Sequence, residues 1–302
     1  MAVNKAASIR QRLLNLARER SENFDFVLKQ YVIQRLLYRL SISDYQEQFL
    51  LKGAMLFLIW TGDLHRPTKD IDLLGFGKND VDVLEKDFKA ICAVEADDGL
   101  AFDIDSINGA QIKEDALYQG VRIVGHALLD NAKITFQVDV GFGDAVTPKS
   151  EVAVVPSFLD LPEPTVRIYP VYTVIAEKFQ AMVALGIANS RIKDFYDIWV
   201  MASDMTFDAS VLSDAVKATF ERRETEINDV ALTVFGEVFI NDESKQKQWK
   251  AFLSRNALKS EMSFSGLMVR LQKFLEPIYQ LTLSNEAVEK YWSSEEWCWK
   301  EG

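Results

Sequence analysis

Cysteine and histidine are nearly missing from this 302-residue chain, which holds Cys92 and Cys298 as its thiols and His65 and His126 as its imidazoles. Two distant cysteines make neither a disulfide framework nor a zinc quartet. Two histidines leave almost no material for His-rich metal sites or His-based triads. Phosphoryl or nucleotidyl chemistry on Mg²⁺ passes that filter, because its ligands are hard oxygens. Long apolar runs are also lacking: none approaches the roughly 18 to 20 uninterrupted residues a membrane span needs. The first residues spread Lys5, Arg10 and Arg12 among polar neighbours and lack the apolar core of a secretory signal. The expectation is a cytoplasmic protein with no membrane partner. Basic residues are outnumbered, 34 against 45, and the net charge of −11 argues against a general nucleic-acid coat protein. Repeats and low-complexity tracts are absent.

What is present is an ordinary globular composition, 48% hydrophobic and 26% charged, long enough for one large or two moderate domains. Charge is uneven. Residues 1–40 carry Lys5, Arg10, Arg12, Arg18, Arg20, Lys29, Arg35 and Arg39 against Glu19, Glu22 and Asp25. That balance suits either an anionic partner such as RNA or an acidic protein, or a helix face solvated or matched within the fold. Apolar spacing over Ile9–Ala17 and Phe24–Leu37 predicts two amphipathic helices broken at Ser21-Glu22-Asn23.

The stretch Leu50-Leu51-Lys52-Gly53-Ala54-Met55-Leu56 followed by Arg66-Pro67-Thr68-Lys69-Asp70-Ile71-Asp72-Leu73-Leu74 carries the chemistry. It reads as helix end, turn and strand. Side chains at i and i+2 of a strand share a face, so Asp70 and Asp72 project together while Ile71 and Leu73 face the core. Two adjacent carboxylates repel unless a cation sits between them, which points to a divalent metal. Gly53-Ala54 lets backbone amides approach a phosphate closely. Further on, Lys133–Val140 alternates so that Thr135, Gln137 and Asp139 share one face, and Asp139 ends a strand before a Gly-Phe-Gly turn. Asp139 can therefore join the first two carboxylates. Gly75-Phe76-Gly77 lacks the third glycine of a dinucleotide fingerprint and reads as a turn.

This combination resembles the polymerase-β-type nucleotidyltransferase superfamily, and the fuller string resembles its AbiEii/AbiGii toxin branch. A second match lies in Glu177-Lys178 on a helix followed by Arg191-Ile192-Lys193-Asp194-Phe195-Tyr196-Asp197. The resemblance covers residues 8–275. It implies an α+β fold: a nucleotidyltransferase core, a mixed sheet flanked by helices, with a helical C-terminal domain. The expected segments are residues 1–48 as helices packed on the core, 49–200 as the core and 201–302 as the helical domain. Ala54 departs from the Gly-Ser of many superfamily members, so phosphate contact there rests on backbone N–H groups.

The implied activity is that of a bacterial toxin–antitoxin protein of abortive-infection type. It would be a Mg²⁺-dependent (or Mn²⁺-dependent) transferase moving NMP from an NTP to an acceptor hydroxyl at a tRNA 3′ end, with a cognate antitoxin as partner. Catalytic residues would be Asp70, Asp72, Asp139, Lys178 and Asp194, the first three holding metal. Lys52, Gly53, Ala54, Arg66, Thr68, Lys178, Arg191 and Lys193 would contact the nucleotide. Transfer to a protein or small molecule, and a catalytically silent binding partner, stay open beside this. If Lys178 neutralises phosphate charge, its loss is expected to abolish transfer and leave stability nearly unchanged; without the resemblance, Lys178 is a solvated helix charge, Asp194 with Arg191 is an i,i+3 ion pair, Asp144 is a turn former, and Arg222 and Arg223 are surface charges. The tail with Trp292, Trp297 and Trp299 suggests no chemistry.

Overall fold

Strands between residues 49 and 168, some alternating and the central ones buried almost throughout, build a seven-stranded sheet, and segments of helical periodicity cover it or form a second group of helices. The computed structural model describes residues 5–115, 118–228, 232–258, 260–284, 286 and 288–302. The chain divides into two units, residues 1–143 with 151–169 and residues 144–150 with 170–302.

The first unit opens with α1 (Lys5–Glu19) and α2 (Phe24–Ser41). Asn23 breaks them and caps α2, its side chain accepting from Phe26 N at 3.2 Å. Then come β1 (Phe49–Lys52), α3 (Met55–Thr61), β2 (Ile71–Gly75), α4 (Val81–Ala93), β3 (Leu100–Asp115), β4 (Tyr118–Leu129), β5 (Ala132–Phe142), β6 (Glu151–Val154) and β7 (Thr165–Ile168). The sheet order is β3-β4-β5-β2-β1-β7-β6. β2 runs parallel to β5 and β1 parallel to β7, and the other pairings are antiparallel. The sheet is mixed, as the resemblance implied. One expectation fails: residues 49–52 are a strand, not the end of a helix. Their four side chains are all buried between β2 and β7. A short run buried on both faces looks the same in sequence whether it is strand or helix.

α2 is held by a buried charge knot. Asp98, in the loop before β3, accepts from Arg35 Nε at 2.9 Å and from Arg39 Nη1 and Nη2 at 2.6 and 3.1 Å. Tyr31 donates its hydroxyl to the Asp98 carbonyl at 2.6 Å. Arg35 and Arg39, counted in sequence as part of a basic arm, are thus spent inside the fold. Burial beside Asp98 pushes the Tyr31 phenol well above its usual range.

The second unit holds α5 (Val171–Leu185), α6 (Ile192–Asp204), α7 (Ala209–Arg222), α8 (Glu237–Ile240), α9 (Glu243–Arg255), α10 (Phe264–Ser284) and the hairpin β8 (Lys290–Ser293) and β9 (Cys298–Glu301). α5 and α6, grouped by sequence with the nucleotidyltransferase core, sit here with the other helices. The Trp-rich tail is structural. Trp292 is fully buried, donates to Ala202 O at 2.8 Å and meets the Phe274 ring at 4.8 Å, while Trp299 stacks on Phe274 at 5.6 Å. Residues 171–188 are apolar enough to cross a membrane by composition alone. α5 is nonetheless a core helix, with Ile175, Phe179 and Met182 buried and Glu177 and Lys178 ion-paired within the unit.

Candidate active site

In the first unit, sheet register does what sequence spacing only suggested. Lys52 on β1 pairs opposite Asp72 on β2, Asp72 opposite Asp139 on β5, and Asp139 opposite Arg122 on β4. Neighbouring strands lie about 4.8 Å apart, so the four side chains form one row across the sheet: cation, two carboxylates, cation. Asp70 stands at the bend just ahead of β2, one residue before the ladder begins. Lys52 and Asp139 are buried, and Asp70 and Asp72 half-buried.

The turn after β1 is built around Asp72. Gly53 has φ +78°, a left-handed conformation costly for other residues, and a Cβ placed on it would stand 2.1 Å from Asp72 Oδ2. Asp72's carboxylate therefore lies against backbone that only glycine leaves bare. Ala54 is buried at the start of α3. Arg66 and Thr68 lie in the loop leading to Asp70. Gln30 on α2 donates to Thr68 O at 2.6 Å, and Thr68 Oγ1 reaches Asp70 O at 3.4 Å. The unit thus brings together Lys52, Gly53, Asp72 and Asp139, with Asp70 and its loop beside them.

Arg122 escaped the sequence reading. Its guanidinium grips Asp139 with two bonds, Nε to Oδ1 at 2.8 Å and Nη2 to Oδ2 at 2.7 Å, and Gln137 Nε2 adds donors at 3.3 and 3.2 Å. The hydrogen bonds it donates to Asp139 and the fields of Asp139, Asp70 and Asp72 together push Arg122 above its already high range. The one signal was a charged residue in the apolar run Val121-Arg122-Ile123-Val124; its partner required the register.

The remaining sequence candidates lie in the second unit. Lys178 on α5 donates to Asp194 Oδ1 at 2.7 Å and Asp197 Oδ2 at 2.8 Å, and Arg191 Nε donates to Asp194 Oδ2 at 2.7 Å. Both carboxylates have 1% side-chain exposure and Lys178 14%. Lys178 is therefore not a solvated helix charge. Burial would raise the Asp194 carboxyl, but Lys178 and Arg191 outweigh it and hold it below the usual carboxylate range. Asp197, unassigned by sequence, completes the cluster one helical turn from Asp194. Lys193 is exposed. Glu177, the neighbour of Lys178, pairs with Arg223 at 3.4 Å, and Arg223 also binds Asp144 at 3.0 Å and Gln180 at 3.0 Å. Asp144 and Arg223 are thus mostly buried ion partners, not a turn former and a surface charge.

The donor chemistry of Asp70 and Asp72 fits a hard divalent cation. Such an ion binds through few carboxylates and completes its shell with water and substrate phosphate. Among the described residues no group of three or more His, Cys, Asp or Glu side chains forms a cage for a metal ion. Two carboxylates plus phosphate need none, and the oxygens of Asp139 already accept from Arg122 and Gln137.

The candidate site is thus a mixed sheet carrying paired aspartates on parallel neighbours, with a glycine turn packed on one of them. The family model described as nucleotidyl transferase AbiEii toxin, type IV TA system, matches residues 35–268, and the chain belongs to that family. A comparison with curated proteins finds no match. Among solved structures, JHP933 from Helicobacter pylori is similar at 14% identity and TM-score 0.47, with 85% of this chain and 94% of that one covered. A second H. pylori structure, described as a candidate nucleotidyltransferase, is similar at 14% identity and TM-score 0.49, with 86% and 97% covered.

Proposed function

We propose that this nucleotidyltransferase toxin transfers NMP from an NTP to a hydroxyl at the 3′ end of tRNA, using a divalent cation at Asp70 and Asp72, and that a cognate antitoxin restrains it. The observation that carries the reading is the in-register pair Asp72 and Asp139 beside the bare Gly53 backbone. An acceptor oxygen bonds to the α-phosphorus, the bond to the β-phosphate oxygen breaks, and pyrophosphate leaves. Asp70 and Asp72 would hold Mg²⁺, or Mn²⁺ in its stead, and the ion would supply charge neutralisation for the triphosphate. Asp139 would sit nearest the acceptor hydroxyl and help deprotonate it, which requires Arg122 and Gln137 to loosen their hold on its oxygens as the acceptor enters. Gly53 and Ala54 offer amides to phosphate, with Lys52, Arg66 and Thr68 around them. The same proposal gives Lys178, Arg191 and Lys193 the phosphate-binding role that the family resemblance implies, with Asp194 fixing Lys178.

Support for an RNA acceptor comes from Arg12, Arg18 and Arg20, which stand exposed on or just after α1. Each cation contacting an RNA backbone releases counterions, so affinity should fall log-linearly with salt. Two measurements test the acceptor. Replacing Arg10, Arg12, Arg18 and Arg20 together by Gln should flatten the salt slope of tRNA binding. Periodate-oxidised tRNA, which lacks its terminal hydroxyls, should accept no nucleotide. Label transfer to oxidised tRNA, or to protein in its place, would reject the tRNA 3′ end as acceptor.

A further inference from the structure

The row across the sheet ends in a cation that nothing in the proposed chemistry has used. Asp72 and Asp139 sit on adjacent strands with like charges about one strand spacing apart. On the far side of Asp139, Arg122 supplies a planar guanidinium whose two N–H bonds match the two carboxylate oxygens, the fork geometry that a lysine lacks. Gln137, two residues back on β5, donates to the same oxygens. Both oxygens of Asp139 therefore accept from N–H donors, and a cation that ligated them would compete with a bidentate pair. Arg122 keeps 41% side-chain exposure, so packing does not wall it in, and its partner is what fixes it. Asp70 and Asp72 lie within its electrostatic reach.

We propose that the Arg122 guanidinium stands in the place of a second divalent cation at Asp139, so that the resting site takes one divalent cation, at Asp70 and Asp72. This rests on the assignment of Asp70 and Asp72 as cation ligands. Arg122 acts through Asp139 and is a positioning residue: it fixes one rotamer of the carboxylate that faces the acceptor and offsets the repulsion from Asp72. Its unit charge also opposes the dication nearby. By Coulomb's law in water, a unit charge about 6 Å from a dication shifts its binding roughly tenfold.

The test counts Mn²⁺ bound to the whole chain without nucleotide, by the electron paramagnetic resonance of free Mn²⁺. The wild-type protein should bind one ion. Arg122→Gln should bind a second ion or hold the first about tenfold more tightly by the same Coulomb estimate, whereas Arg122→Lys, which keeps the charge, should stay at one with near wild-type affinity. Asp139→Asn should also still bind one ion, since Asp139 is no ligand at rest; this arm serves if Arg122→Gln does not fold. A purely structural Arg122 would lower the melting point of Arg122→Gln and leave count and affinity unchanged, which overturns the inference. Two ions in the wild type, or loss of the single ion in Asp139→Asn, overturns it as well. Those outcomes leave Asp70 and Asp72 as ligands, whereas no ion in the wild type removes that assignment and the inference with it.

Discussion

Replacing Lys178 by Met removes the ammonium that neutralises Asp194 and Asp197, each at 1% side-chain exposure. Taking one partner from a buried ion cluster costs about 3–5 kcal/mol, because it strands charge in a low dielectric. At roughly 2–4 °C per kcal/mol for a domain of this size, the melting point should fall by on the order of 10 °C. The sign of the pH dependence follows from the lowered Asp194 carboxyl. Its contribution is fully present above the unfolded aspartate value of about 3.9 and is lost as pH falls through the lower folded value. In the variant, burial of Asp194 is opposed by Arg191 alone, so its carboxyl keeps its proton to higher pH. The gap between wild type and Lys178→Met is then widest near neutrality and narrows as pH falls towards about 4. Thermal unfolding of both proteins across that range measures it, and adding Asp197→Asn should restore part of the loss. A shift of under about 1 kcal/mol that does not change with pH would refute the reasoning and return Lys178 to the solvated charge its sequence suggests.

Gly53→Ala should lose transfer and cost about 1–3 kcal/mol in stability, since its Cβ meets Asp72 Oδ2 at 2.1 Å and φ is +78°; turnover and melting point measured together check this. Asp98→Ala leaves the guanidinium groups of Arg35 and Arg39 buried without their carboxylate and should cost about 3–5 kcal/mol, read by denaturant unfolding. Cys92 is buried, with its thiol pushed up to about 12, while Cys298 is exposed. One thiol per native chain should therefore react with an alkylating reagent at pH 8, and two after denaturation.

The parts of the site carried by local alternation were legible. Asp72 with Leu73 facing inward, and Asp139 on the polar face with Gln137, follow from a period of two. Both helices before residue 42 followed from apolar spacing and the Asn23 break. What escaped was whatever depends on partners distant in sequence. Phe49–Lys52 could be strand or helix until β2 and β7 flanked it. Arg122 gained meaning only from its register with Asp139, 17 positions on. Asp98 neutralises two arginines from α2 that lie about sixty positions earlier, and no local pattern pairs them. Lys178 read as a surface charge because a helix alone does not reveal that Asp194 and Asp197 close over it. Trp292 and Trp299 read as an aromatic tail because the Phe274 ring they pack on is on another element.

The most direct measurement is the fate of the α-phosphate. Wild-type protein with Mg²⁺, total tRNA and each NTP labelled at the α- or the γ-phosphate should leave α-label on RNA and release γ-label as pyrophosphate, one pyrophosphate per nucleotide added. Asp72→Ala, still folded by its melting curve, should do neither. Transfer of γ-label, or α-labelling of RNA by Asp72→Ala at the wild-type rate, would contradict nucleotidyl transfer at the Asp70 and Asp72 site.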